Sequence, residues 1–326
     1  ARPPYGYANL RVTVHDMPPI LRASWLRGVS ALPNSFAHES YIDELAHAAG
    51  VDPVQYRLQW LNDPRARELV QATAEKAGWK PRTQAQQQPS QGDWMQGQGF
   101  AYARYVHSKW PGFGAAWAAW VADVEVNRRT GEVHVKRVVV GHDAGLTVNP
   151  AGVEHQVHGN VIQTTSRALK EQIQTDPLTG AVTSQEWGSY PILSFREVPV
   201  IEVFQMPRPD EPALGAGESS SVPGTAAIAN AIYLPLSFAS GLFISIDSLP
   251  SIVQCTPSPV RRPLCIGLAA AVMGCVHILC CVHRNCILSH RLDQGKGRAK
   301  APAAVGPGHA CGGRDRGYRR VCSGLS

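Results

Sequence analysis

The chain has 326 residues and a formal net charge of +6, long enough for a sizeable core and two subdomains. The charge is uneven: residues 255–326 hold eleven Lys/Arg against two Asp/Glu, a net of +9, whereas the first 254 residues are net −3. The positive charge therefore belongs to the tail, and the main body gives no electrostatic reason to expect a nucleic-acid partner.

All eight cysteines also lie in that tail, from Cys255 onward. The first twenty residues show no charged stretch followed by an apolar one, so no secretion signal is read. Strand-like sequence directly after Ala1 reads as the interior of a longer domain, which leaves the compartment open.

Taken in chain order, Tyr7–His15 alternates apolar and polar residues and predicts a strand. Residues 33–49 predict a helix that stops at Gly50. Asp52-Pro53 and Asp63-Pro64 each place a capping carboxylate before a proline at the first helical position, and so start two more helices, the second ending at Gly78. A Gln/Pro/Ser-rich loop covers 81–93. Strands are expected over 97–106, 116–126 and 132–141, the last two joined by the turn Asn127–Gly131. Asn149-Pro150 opens a helix to about Gln174. A short strand pair is expected near 181–206, and a small-residue helix over Val222–Tyr233. There is no internal repeat.

Three segments could carry chemistry. In Leu214-Gly215-Ala216-Gly217-Glu218-Ser219-Ser220, two glycines allow close approach of the backbone to a ligand. The helix that follows points free N–H groups at the loop. A carboxylate at Glu218 would be partly desolvated there, a setting that suits a general base. The plainer reading is a helix-capping glutamate after a tight turn. On the helix 150–174, Gln156, Gln163 and Arg167 share one face, with Gly159 and Asn160 between them. That stripe could hydrogen-bond a flat heterocycle or simply face solvent. Arg27-Gly28 after Trp25-Leu26 is weaker and reads equally as a surface loop. His142, His155 and His158 match no common zinc spacing, so no metal is assigned to protein ligands. The serine-hydrolase elbow, phosphate loop, zinc-protease and dinucleotide signatures are missing.

The order of these segments is more specific than any one of them. WLRGVSALPNSFAHESYIDELAHAAGVDPVQYRLQWL, HDAGLTVNPAGVEHQVHGNVIQTTSRALKEQI, WGSYPILSFREVPVIEV and LGAGESSSVPGTAAIANAI resemble, in sequence, segments of the molybdenum-binding large subunit of the xanthine dehydrogenase and aldehyde oxidase family. The wording is nearest the isoquinoline 1-oxidoreductase β-subunit and nicotinate dehydrogenase branch. The resemblance covers residues 1–233. It implies an α+β fold, the C-terminal portion of the molybdenum-cofactor-binding domain, with mixed sheets and packed helices.

It also implies a molybdenum–molybdopterin cofactor, in its cytosine dinucleotide form, that oxidises an aldehyde or N-heteroaromatic with oxygen drawn from water. Glu218 would be the base. Gly215, Ala216, Gly217 and Ser219 would shape the cofactor loop, Gln156, Gly159 and Gln163 would line the pterin or its phosphate arm, and Arg27 and Gly28 would lie near the cofactor or substrate channel. Electrons would leave through 2Fe-2S clusters in a small partner subunit, since residues 1–254 have no cysteine to bind them, with a cytochrome as a possible further acceptor.

The resemblance ends at Tyr233, and the family's earlier glycine-rich loop has no counterpart here. Residues 234–326 are read first as a frameshifted or disordered tail. The second reading is a membrane anchor over Pro263–Val282, which would make the chain a scaffold. A metal site from Cys275, Cys280, Cys281 and Cys286 is the third. An inactive remnant lacking half of the cofactor site is the rival to the enzyme.

Overall fold

The structure, a computed structural model, describes residues 3–15, 24–83, 92–106, 114–127, 129–237 and 277–279. In chain order these form strand β1 (Thr13–His15), helices α1 (Ala31–Ala49), α2 (Pro53–Trp60) and α3 (Pro64–Ala77), strands β2 (Trp94–Val106), β3 (Ala115–Asn127) and β4 (Val133–Asp143), helix α4 (Pro150–Leu169), strand β5 (Val200–Gln205), helix α5 (Gly224–Ser237) and strand β6 (His277–Leu279). The expected α+β fold with a mixed sheet is what is seen.

The start signals work as their chemistry requires. Asp52 accepts from the backbone N–H groups of Val54 and Gln55, Asp63 from that of Arg65, and Asn149 from that of Gly152. Such caps each stabilise a helix by about 1 kcal/mol. Two of them also reach across the fold: Asp52 accepts from the Trp79 indole at 3.0 Å and Asp63 from the Trp117 indole at 2.8 Å. Gly50 and Gly78 end α1 and α3 with φ of +65° and +70°, the left-handed region that glycine enters without a Cβ clash.

Four strands pair in the order β2-β3-β4-β5. The first two pairings are antiparallel, and β3–β4 is the hairpin expected at Asn127–Gly131. Alternation along β2 and β3 sends successive residues to opposite faces. Ala101, Trp120 and Ala122 pack with α4 and α5 on one side. Phe100, Tyr102, Ala119 and Val121 pack with α2 and α3 on the other. Both faces of the sheet are therefore covered. Gly99 allows α5 to lie on β2, because a Cβ there would meet the Ala227 carbonyl oxygen at 2.1 Å.

Four expectations are corrected. Tyr7–His15 is not one strand: only Thr13–His15 pairs, with β6. Upstream, tertiary packing takes over, as Tyr5 is buried with its hydroxyl on Glu39 at 2.7 Å and the Gly6 N–H bonds the Trp60 carbonyl. Helix α4 stops at Leu169, before Gln174, where the chain folds back so that the Leu193 N–H reaches the Ser166 hydroxyl and Lys170 pairs with Glu197.

The strand pair near 181–206 does not form. Val182 bridges Thr175, whereas β5 adds in parallel to β4. Helix α5 begins at Gly224, because Ser219–Ser221 forms a 3-10 turn first, and its backbone runs four residues past Tyr233. Of the Pro263–Val282 span only 277–279 is described, and all eight tail cysteines, including the four weighed as a metal site, lie outside the described residues. Among the described residues no helix is long and apolar enough to cross a membrane.

Candidate active site around Glu218

The loop that carries Glu218 is held from behind by three consecutive serines that end in the core. Ser219, Ser220 and Ser221 are each at most 1% exposed. The Ser219 hydroxyl pairs with His142 Nε2 at 2.7 Å. The Ser220 hydroxyl accepts from the Asn160 amide at 2.7 Å, and its carbonyl accepts from the Trp120 indole, also at 2.7 Å. The Ser221 hydroxyl turns back to donate to the Glu218 carbonyl at 2.6 Å. A buried hydroxyl without a partner costs about 1–3 kcal/mol, so this pairing sets where the loop must sit. The run of serines looks featureless in sequence, and its part in seating the loop becomes visible only with its partners.

Three of the expected segments meet at one side chain. Arg27 Nε donates to the Gly217 carbonyl at 2.6 Å, and its Nη2 donates to Gln156 Oε1 at 2.5 Å. The carbonyl of Arg27 in turn accepts from Arg167 at 2.7 Å. Burial, and then the nearby Arg167 charge, pull the Arg27 guanidinium below its ordinary value, while Glu218 acts in the opposite sense. Gly159 serves this contact: a Cβ there would sit 3.2 Å from Arg27 Nη1. Gly28 takes a φ of +92° and lies against the Ser221 hydroxyl and Leu32, where a side chain would collide. The adjacent Val29 has φ of +43°, uncommon for a β-branched residue.

Glu218 itself is half-buried. Tyr105, at the end of β2, donates its hydroxyl to Glu218 Oε2. Burial and this hydrogen bond push the Tyr105 phenol well above its ordinary value. Beyond Gly217 lies open space, with nothing within 4 Å of where a Cβ would be.

The loop glycines Gly215 and Gly217 do not adopt positive φ. Gly215 and Ala216 lie in the stretch whose Leu214 N–H bonds the Ala144 carbonyl. Ser219 faces the core through His142 rather than the open side. Gln163 is exposed on α4, and the Arg27 contacts do not extend to it. The three histidines do not converge: His142 is buried, His155 is exposed and His158 lies 3.9 Å from Glu154. Among the described residues no group of three or more His, Cys, Asp or Glu could hold a metal ion.

Sequence reasoning also missed Asp143. It is fully buried, paired with both Arg65 and Arg208, and accepts from the Gly145 N–H at 3.2 Å. Burial alone would raise this carboxyl, but the two arginines outweigh it and hold it below the ordinary value. Arg65 also lies 4.1 Å over the Trp117 ring. Asp143 thereby ties the end of β4 to the start of α3 and to the loop before Glu218. A separate groove near the other end of the sheet, lined by Lys80, Arg82, Gln96, Gln98 and Asp123, contains none of the expected site residues.

Residues 64–199 match the family model of a molybdopterin cofactor-binding domain. A nicotinate dehydrogenase chain of Pseudomonas putida is 67% identical over 231 residues, which are 71% of this chain and 19% of that protein. The β-subunit of isoquinoline 1-oxidoreductase from Brevundimonas diminuta is 32% identical over 195 residues, 60% of this chain and 23% of that protein. The chain thus spans less than a quarter of the length of these relatives. The aldehyde oxidoreductase of Desulfovibrio gigas shares the fold with a TM-score of 0.51 at 16% identity, over 66% of this chain and 39% of that one.

Proposed function

Since this chain belongs to the molybdopterin-binding subunits of the xanthine dehydrogenase family, we propose that it carries the base-bearing part of a molybdenum hydroxylase and that Glu218 is the base. The observation that supports this most is the convergence on Arg27. The Arg27 guanidinium donates to the Gly217 carbonyl and to Gln156, and the backbone carbonyl of Arg27 accepts from Arg167, so segments assigned to cofactor binding meet beside the glutamate.

The residues fit such a cofactor. The space beyond Gly217 is open, Gln156 and Gln163 are exposed amides on α4, and Glu218 is half-buried. When bound, the molybdenum–molybdopterin group supplies two-electron oxidation of an electrophilic carbon with oxygen drawn from water.

The chain's own residues do the rest. Gln156 and Gln163 would hydrogen-bond the pterin or its phosphate arm, in the cytosine dinucleotide form of the cofactor. Arg27 anchors the loop by its Gly217 carbonyl and keeps Glu218 facing the open side. Glu218 takes a proton at its carboxylate, a step that contributes on the order of 10²–10⁴-fold when the base is well placed. The substrate class is an aldehyde or N-heteroaromatic. A small partner subunit with 2Fe-2S clusters, and a cytochrome beyond it, would be the acceptors for the electrons.

The test is to assemble the enzyme with its iron–sulfur partner and compare the unsubstituted protein with Glu218→Gln. Molybdenum content should match in the two, and turnover should be lost in the variant. Retained turnover removes Glu218 from the role of base. Absence of molybdenum from the unsubstituted complex instead favours an inactive remnant.

A further inference from the structure

Tyr105 lies outside every segment assigned to the site, yet its hydroxyl donates to one oxygen of the Glu218 carboxylate, Oε2. It reaches the loop from the end of β2, the strand that pairs with β3 along its whole length from Trp94 to Val106. The other hydrogen bonds at the glutamate are made by its backbone. Its carbonyl accepts from the Ser221 N–H at 3.0 Å and from the Ser221 hydroxyl at 2.6 Å, and the carbonyl before it accepts from Arg27. A long side chain tethered only through its backbone samples several rotamers, and selecting one costs up to about 1.5–2 kcal/mol. The phenol removes that freedom at the carboxylate itself.

We propose that Tyr105 is a positioning residue for the base: it pins Oε2 and leaves Oε1 to act as the base. This rests on the reading of Glu218 as base. The physical grounds are a neutral donor on an anionic acceptor, a stronger bond than a neutral pair, and the rigidity of a paired strand as its support. Burial and the same hydrogen bond both keep the phenol protonated, so it remains a donor across the working pH range.

Two measurements test the proposal. The first needs no cofactor chemistry. Nitration of tyrosine by tetranitromethane proceeds through the phenolate, and peptide mass spectrometry reads it at Tyr105 alone. Glu218→Ala removes the acceptor, and nitration of Tyr105 should speed up about tenfold relative to the unsubstituted chain, the size expected for loss of a hydrogen bond to a charged group. An unchanged rate overturns the contact.

The second uses the assembled enzyme with Tyr105→Phe. Without the phenol the carboxylate samples more rotamers, so kcat should fall severalfold while KM, molybdenum content and melting temperature stay unchanged. An unchanged kcat, or a loss of molybdenum or of melting temperature, overturns the proposal. If Glu218→Gln keeps its turnover, the base assignment fails first, and the nitration result still reports on the Tyr105–Glu218 contact by itself.

Discussion

Two arginines organise two polar clusters in this molecule, and they stand in opposite environments. Arg57 is fully buried between α1, α2 and β2. It pairs with Glu39 at 2.8 Å and Asp43 at 2.6 Å, and donates to the carbonyls of Pro53, Glu39 and Phe100. Arg27 is partly exposed, and its partners include Gln156 on the surface of α4 and a loop with open space in front of it. Each guanidinium joins several segments of chain. The first is saturated by the protein's own acceptors and closed to solvent, so it holds the fold. The second keeps room beside it, so it can hold a loop against a ligand. Burial, more than residue type, separates the structural cluster from the candidate site.

The largest effect should come from breaking the closed cluster. Arg57→Leu leaves Glu39 and Asp43 buried without their cation, which costs about 3–5 kcal/mol; urea unfolding of the chain should show a loss of that size or no cooperative transition at all. A loss under about 1 kcal/mol would mean that the cluster is not closed. Next is Glu218→Gln, expected to lower turnover by at least about 100-fold with a change in unfolding free energy below about 0.5 kcal/mol, as for a substitution that disturbs no buried partner. Arg27→Ala should cost about 1 kcal/mol or less in stability, because the group is partly exposed, while molybdenum retained after gel filtration falls severalfold. A large stability loss would place Arg27 with Arg57 as a fold determinant.

The smallest effect is a pH dependence. Burial alone would raise Glu39, but Arg57, His38 and Tyr5 outweigh it and hold Glu39 at about 2. Its stabilisation is present above the ordinary carboxylate range and fades as pH falls toward 2. Asp43 is the reverse: burial pushes it up to about 6 in spite of Arg57. Its contribution is present below its unfolded value and is lost as pH rises through about 6. Asp43→Asn should therefore flatten the decline in unfolding free energy between about pH 4 and 6 and leave the acid loss below about pH 4.5 in place. An unaltered slope across that window would show that Asp43 does not titrate there.

Local chemistry was legible wherever a single residue decides an outcome. Asp52, Asp63 and Asn149 before their prolines mark three helix starts, and Gly50 and Gly78 mark two stops, because capping and left-handed φ are properties of one or two residues. The hairpin at Asn127–Gly131 is local in the same sense. Parallel addition of β5 to β4 was not legible, since a parallel partner lies a whole crossover away and no nearby residue encodes the choice. Asp143 was missed for a related reason: its role depends on Arg65 and Arg208, 78 and 65 residues distant.

The candidate site divides along the same line. Sequence alone set out Glu218 in its glycine-flanked loop and the shared face of Gln156 and Arg167, because glycine freedom and helical periodicity act over a few residues. Only the tertiary structure decided that Ser219 turns inward to His142, that Gly159 lies against Arg27, and that Tyr105 meets the glutamate. Those outcomes depend on which buried donors and acceptors satisfy one another across the sheet, and that pairing exists only when the whole core is assembled.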